Sequence, residues 1–168
     1  MSKDSINYKS IDYLIKQYSQ SGEVSWIGIR STRKQGLTNT TKVEAIQGIG
    51  LEGDHYKSKN GKRQVTLIQA EHITTVASYL GKDHIDPDLL RRNIVIRGIN
   101  LLSLKGKQFA LGKAILEYTG ECHPCSRMEE NLGIGGYNAM RGHGGITAAI
   151  IKGGVISIGD QLSPLDSD

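Results

Sequence analysis

Phe109-Ala110-Leu111-Gly112-Lys113-Ala114-Ile115-Leu116-Glu117-Tyr118-Thr119 reads as a strand, a turn at Gly112-Lys113 and a second strand, because glycine punctuates two apolar runs at hairpin spacing. Thr147 to Ile151 and Val155 to Ile158 repeat the pattern around Lys152-Gly153-Gly154. Upstream, Val24 to Ile29, Val43 to Ile46, Gln64 to Ile68 and Ile94-Val95-Ile96 are further short strand candidates. In the first of these, Val24, Trp26 and Gly28 alternate with Ser25, Ile27 and Ile29, so both faces are largely apolar, as in a barrel wall packed against a helix. Glycine supplies 21 of 168 residues and proline only 3, against an average glycine usage of about 7%, which suits tight turns and close backbone approaches. Short glycine-bounded strands with few helices predict a mainly β fold, a small β-barrel decorated by a few α-helices.

Three segments carry helical spacing. Ile11, Leu14, Ile15 and Tyr18 predict an amphipathic helix stopped by Gly22, and Ile73, Val76, Ala77 and Leu80 predict another ending at Gly81. Asp86-Pro87 reads as an N-cap and first helical residue, so a short helix through Leu90 would present Arg91, Arg92 and Asn93 at its end. The chain therefore divides into an N-terminal helical extension, 1–22, and a barrel domain, 23–165. No apolar run approaches the roughly 20 residues of a membrane span, and MSKDSINYKS lacks the apolar core of a secretory signal. A soluble, cytoplasmic protein with no membrane partner is expected. The net charge of +4 has its densest cluster at Lys57, Lys59, Lys62 and Arg63, but with one Phe and one Trp base-stacking surfaces are scarce. Nucleic acid is not the expected partner, and an anionic small molecule suits the charge equally well.

Four stretches carry chemistry. Thr119-Gly120-Glu121-Cys122-His123-Pro124-Cys125-Ser126-Arg127 leaves a strand and enters a predicted helix. Backbone N–H groups at a helix start favour a thiolate at Cys125, a nucleophile or soft-metal ligand. Such a Cys-x-x-Cys can also be a redox pair, part of a zinc site short of two ligands, or two buried thiols without a role. Gly50-Leu51-Glu52-Gly53-Asp54-His55-Tyr56 is too rich in glycine for regular structure and reads either as a ligand loop or as a turn closed by Asp54. Leu90-Arg91-Arg92-Asn93 offers guanidinium forks for phosphate and an amide for a heterocycle edge, or cations solvated at a helix end. Arg141-Gly142-His143-Gly144-Gly145 sets a cation and an imidazole between glycines ahead of a strand. No Gly-x-x-x-x-Gly-Lys-Ser/Thr or Gly-x-Gly-x-x-Gly loop opens a helix, so nucleotide folds lack their phosphate cradle.

Taken together, Gly48 to His55, Arg63 to Ile68, Arg92 to Ile96 with Gly98 to Leu101, Phe109 to Gly112, Cys122-His123-Pro124-Cys125 and Gly159-Asp160 make the sequence resemble the MOSC family, in a short stand-alone form. The resemblance implies a β-barrel and one cysteine, Cys125, that ligates molybdenum or carries sulfur. It implies the molybdenum cofactor (molybdopterin) as an anionic pterin ligand, held by Arg92, Asn93, Arg63, Gly53 and Arg141. Asp54, His55 and His143 would then be proton donors near the reacting group. Two activities follow: an oxidoreductase acting on N-hydroxylated substrates, or a non-catalytic sulfur or cofactor carrier. Either needs a separate electron-donor or sulfur-donor protein. Pyridoxal phosphate binding attaches only to the wider family.

Overall fold

The Gly112-Lys113 turn joins β7 (Gln108–Leu111) to β8 (Ala114–Glu121), which pair antiparallel with Leu111 opposite Ala114. Gly112 has φ +57 while Lys113 does not enter the left-handed region, the combination of a type II′ hairpin turn. The protein, seen as a computed structural model, is described over residues 10–32, 36–55 and 59–166. Residues 1–9 of the expected extension, and Tyr56 and Lys57, lie outside the described residues.

The other elements in chain order are α1 (Ile11–Leu14), β1 (Gly22–Ile29), β2 (Thr38–Thr40), β3 (Lys42–Ile46), β4 (Gly50–Leu51), β5 (Val65–Gln69) and α2 (Ala70–Tyr79). They continue as β6 (Ile94–Arg97), then β7 and β8, α3 (Ser126–Leu132), α4 (Gly136–Met140), β9 (Ile146–Lys152), β10 (Gly154–Ser157) and β11 (Gln161–Pro164). Two 3-10 helices, Pro87–Leu90 and Leu101–Leu104, precede and follow β6. The hydrogen-bonded order β11-β7-β8-β9-β5-β6-β1 closes through a β1–β11 pairing into a barrel, with β2 appended to the far end of β1. Every pair is antiparallel except β5 and β6, which are parallel and need the α2 crossover to connect them. A second sheet, β10-β3-β4, contributes Val43, Ala45, Leu51 and Ile156 to the barrel core.

Alternation in β5 and β6 explains why both strands are apolar on both sides. Leu67, Ile94 and Ile96 point into the barrel. Ile68 and Val95 point outward under a helical layer with Ile73, Val76, Leu90, Met128, Leu132 and Met140. The two-faced reading of β1 holds, with Trp26 packed against the outer layer, but its strict alternation does not. A register shift between Val24 and Trp26 puts Val24 and Ile27 together in the barrel interior, as a bulge does.

Three other expectations change. Ile146–Lys152 and Gly154–Ser157 form no hairpin, because at Gly153 the chain leaves the barrel for the second sheet and β10 pairs with β3. A Cβ at Gly153 would lie 2.7 Å from the Ala45 carbonyl oxygen, so this corner is a close crossing. Gly50 and Leu51, read as irregular, form the short strand β4 against β3. The helix expected through Tyr18 spans only Ile11–Leu14, with Ile11, Leu14 and Ile15 exposed. Tyr18 is what anchors this segment: its hydroxyl donates to the Ser103 carbonyl at 3.0 Å, and Lys107 Nζ donates to that hydroxyl at 2.7 Å. Among the described residues no helix is long and apolar enough to cross a membrane.

Candidate functional site

Four loops meet at one rim of the barrel. β8 ends at Glu121, residues 122–125 run without a turn, and Cys125 is the N-cap of α3 with extended backbone, φ −123° and ψ −179°. Proline at 124 disfavours helical geometry at the residue before it and lacks an N–H, which keeps Cys122 on the strand side and Cys125 on the helix side. Cys122 is buried and Cys125 exposed. A disulfide between them would require this turnless run to fold back, since bridged Cα atoms lie within about 7 Å.

Gly144 and Gly145 make the approach possible. A Cβ on Gly144 would sit 1.9 Å from the Cys122 carbonyl oxygen, and one on Gly145, with φ +86, 1.9 Å from that of Leu67. Both contacts are with backbone, so these glycines are explained by packing. Arg92, 4% exposed, ties the loops together. Its Nε donates to the Gly144 carbonyl at 2.7 Å, Nη1 to Leu90 at 2.9 Å and Nη2 to Cys122 at 3.3 Å. Burial lowers its pKa from the ordinary value; Cys122 acts in the opposite sense and Arg63 in the same one.

Asn93 is a second brace. Its Oδ1 accepts from the Thr66 N–H and hydroxyl at 3.2 and 3.1 Å, and its Nδ2 donates to the Gly28 carbonyl at 3.2 Å and to Asp54 at 3.4 Å. The other Asp54 oxygen accepts from the Arg30 N–H at 2.8 Å. Asn93 and Asp54 are both buried and hold β1, β5, β6 and the loop after β4 in one arrangement.

Beside this brace lies a cavity of ≈ 50 Å³ lined by Arg30, Arg63, Arg91, Asp54, Thr66 and Asn93. A space of this size admits a few waters or a small oxyanion. A wider groove, ≈ 820 Å³, lies on the far side of Gln64 between Lys62, Glu117, Tyr118 and Ile151. It is the larger space, but among the described residues no arginine lines it, whereas three line the smaller one. Arg91 connects that cavity to the thiol: burial and then Arg30 and Arg127 lower its pKa, and Cys125 acts in the opposite sense. Arg30 Nε is buried without a hydrogen-bond partner among the described residues.

The structure thus brings Cys125, Arg63, Arg92, Asn93 and Asp54 to one rim. Gly53 and His55 flank Asp54, Gly53 with φ +82 and both exposed, and the His55 N–H donates to the Arg30 carbonyl at 2.5 Å. His143 does not line the cavity. Its ring packs edge-on against His72 at 4.8 Å and near Tyr79 at 5.7 Å, facing α2, and burial followed by the charge of His143 lowers the His72 pKa. Arg141 is exposed at the end of α4. Sequence reading missed Arg30 entirely, since a lone arginine ending a strand carries no local signal. Among the described residues no group of three or more His, Cys, Asp or Glu side chains could hold a bare metal ion. What the rim offers a bound group is one exposed thiol, Cys125, the guanidiniums of Arg30, Arg63 and Arg91, and the unpartnered buried Arg30 Nε.

Comparison with known proteins agrees with this architecture. The chain is similar in fold to the YuaD protein of Bacillus subtilis, with 20% identity, a TM-score of 0.76, and 89% of this chain and 98% of that chain covered. It is similar to YiiM of Escherichia coli, with 18% identity, a TM-score of 0.68 and coverage of 89% and 71%. YiiM of Geobacillus stearothermophilus gives 15% identity, a TM-score of 0.68 and coverage of 86% and 75%. No curated protein matches the sequence. The MOSC domain profile matches residues 50–163, a span that holds Asp54, Arg63, Arg91, Arg92, Asn93 and Cys125 but not Arg30, and the chain therefore belongs to the MOSC domain family.

Proposed function

We propose that this MOSC domain binds the molybdenum cofactor through the Cys125 thiolate and serves a reductase acting on N-hydroxylated substrates. The observation that carries the proposal is the placement of the exposed Cys125 within reach of the charges of Arg91 and Arg92, in a family associated with that cofactor. When bound, the cofactor supplies the two-electron chemistry of its metal. Cys125 offers the soft ligand, and the guanidinium-lined cavity faces the cofactor's anionic part. Arg92 and Asn93 hold the loops, and Asp54 orients the Arg30 backbone. Of the three proton donors named from sequence, His55 is the exposed imidazole next to the cavity wall, so it is the one we assign to proton delivery.

The exposure of the thiol and the small volume of the cavity favour a second reading, a carrier that hands sulfur or cofactor to a partner protein. Protein purified from a host that makes the cofactor separates these. Stoichiometric molybdenum, lost in Cys125→Ser and retained in Cys122→Ser, supports cofactor binding. Oxidation of a chemical reductant on addition of an N-hydroxylated substrate then supports the reductase, and stoichiometric molybdenum without turnover supports the carrier. Zinc in place of molybdenum, or equal loss from both cysteine variants, overturns both.

A further inference from the structure

We infer that Arg91, with Arg30 and Arg63, forms a recognition site for a small oxyanion, a phosphate- or sulfate-like group, at the rim that carries Cys125. The inference deepens the reading of the rim given above, but it stands on this chain's own residues and needs no cofactor.

The first observation is conformational. Arg91 ends the Pro87–Leu90 3-10 helix in the left-handed region, with φ 59° and ψ 33°. Only Asn60 among the other described non-glycine residues has positive φ. Left-handed backbone is unfavourable for a residue with a Cβ, and glycine or asparagine would adopt it with less strain. Such strain at an arginine points from geometry to function. Here the effect of the strain is visible. Reversing the chain at Arg91 sends two consecutive arginines to different places: Arg92 inward, onto the carbonyls of Leu90, Cys122 and Gly144, and Arg91 onto the wall of the cavity.

The second observation is electrostatic. The charged groups that act on Arg91 among the described residues are Arg30, Arg127 and Arg92, together with the Cys125 thiol. Asp54 lines the same cavity and accepts from the Arg30 N–H and from Asn93; it sets one negative charge against the guanidiniums of Arg30, Arg63 and Arg91, so the lining is net positive. Like charges gathered in this way repel unless an anion lies between them. The third is an unmet donor, since Arg30 Nε is buried and has no partner among the described residues. The fourth is size: ≈ 50 Å³ admits a tetrahedral oxyanion head. Guanidinium forks suit such an oxyanion by bidentate hydrogen bonding.

The oxyanion can be free in solution or be the end group of a larger ligand. The test therefore uses cofactor-free protein with inorganic phosphate, sulfate and phenyl phosphate as titrants, followed by calorimetry. It is paired with the rate of Cys125 alkylation by iodoacetate relative to neutral iodoacetamide. Wild type is expected to bind phosphate, to react preferentially with iodoacetate, and to lose that preference when phosphate is added. Arg91→Gly and Arg91→Asn should fold with a Tm raised by about 2 °C through relief of the left-handed strain. Both should bind phosphate about tenfold or more weaker and lose the iodoacetate preference. Competition by phenyl phosphate indicates an end group; binding of the inorganic ions alone indicates a free oxyanion; either supports the site. Wild-type phosphate affinity in both variants, or an unchanged iodoacetate preference, overturns it. Because no molybdenum is present, failure here leaves the cofactor reading standing, and failure of molybdenum binding leaves this site standing.

Discussion

The two cysteines differ by three positions in sequence and by their whole environment in space. Cys122 is 3% exposed and its N–H donates to the Gly145 carbonyl at 2.8 Å, whereas Cys125 is exposed and its side chain makes no capping hydrogen bond. Iodoacetamide on the folded protein should therefore modify Cys125 first, read by peptide mass mapping. Equal labelling of both would remove the basis for assigning separate roles. Cys125→Ser should change stability by no more than about 0.5 kcal/mol, the range for surface substitutions. Asn93→Ala, which strips four hydrogen bonds from the centre of the rim, should cost about 3 kcal/mol in urea unfolding because it leaves buried donors and acceptors unpaired. Gly144→Ala should be worse tolerated than its small size suggests: the added methyl meets the Cys122 carbonyl oxygen, a backbone atom with no rotamer to change. We expect it to lower the folded yield and to displace the 122–125 run, detectable as faster alkylation of Cys122.

At the scale of elements, α3 and α4 are both short, and a single side chain secures their junction. Glu129 accepts from the Gly135 N–H at 2.7 Å and from the Tyr137 N–H at 2.9 Å, and these backbone bonds, Tyr137 first, lower its pKa from the usual carboxylate value. A depressed carboxyl pKa stabilises the folded form above the unfolded pKa, and that contribution is lost as pH falls through the folded value. Amide exchange at Gly135 and Tyr137, corrected for its intrinsic pH dependence, should therefore become faster relative to neutral pH only on the acid side of the ordinary carboxylate range. Glu129→Gln should show the weakened protection at all pH values, and a variant that kept the acid-induced change would assign it to another group. Since Cys125 is the N-cap of α3, loosening this junction is also the element-level route by which acid would disturb the candidate site.

For the whole molecule, closure through β1 and β11 joins residues near the two ends of the described chain, with Gly22 opposite Leu162. The barrel has no independent half, so unfolding should be one cooperative transition with coincident circular dichroism and fluorescence curves and a mainly β spectrum. Two separate transitions would contradict closure. Much of this architecture was legible locally: the Gly112-Lys113 hairpin, the α2 helix after β5, the Pro87 helix start and the placement of Cys125 after Pro124 all rest on neighbours within a few residues. The N-terminal helix was overestimated because the spacing of Ile11, Leu14, Ile15 and Tyr18 shows amphipathicity but not whether a surface exists to bury it. Likewise Lys152-Gly153-Gly154 carries hairpin chemistry, yet β10 found a better partner in β3, a choice made by distant strands. At the site, sequence named Arg92 as the ligand-facing arginine, and tertiary structure engaged it with three carbonyls while turning Arg91 to the cavity. Turn chemistry, periodicity and cysteine spacing were determined by the sequence itself, because each depends on the covalent geometry of adjacent residues. The bulge in β1, the arrival of Arg30 and the opposite fates of two adjacent arginines were decided only by the closed barrel, because carbonyls, carboxylates and cavities from four separate segments exist as partners only once the chain has folded.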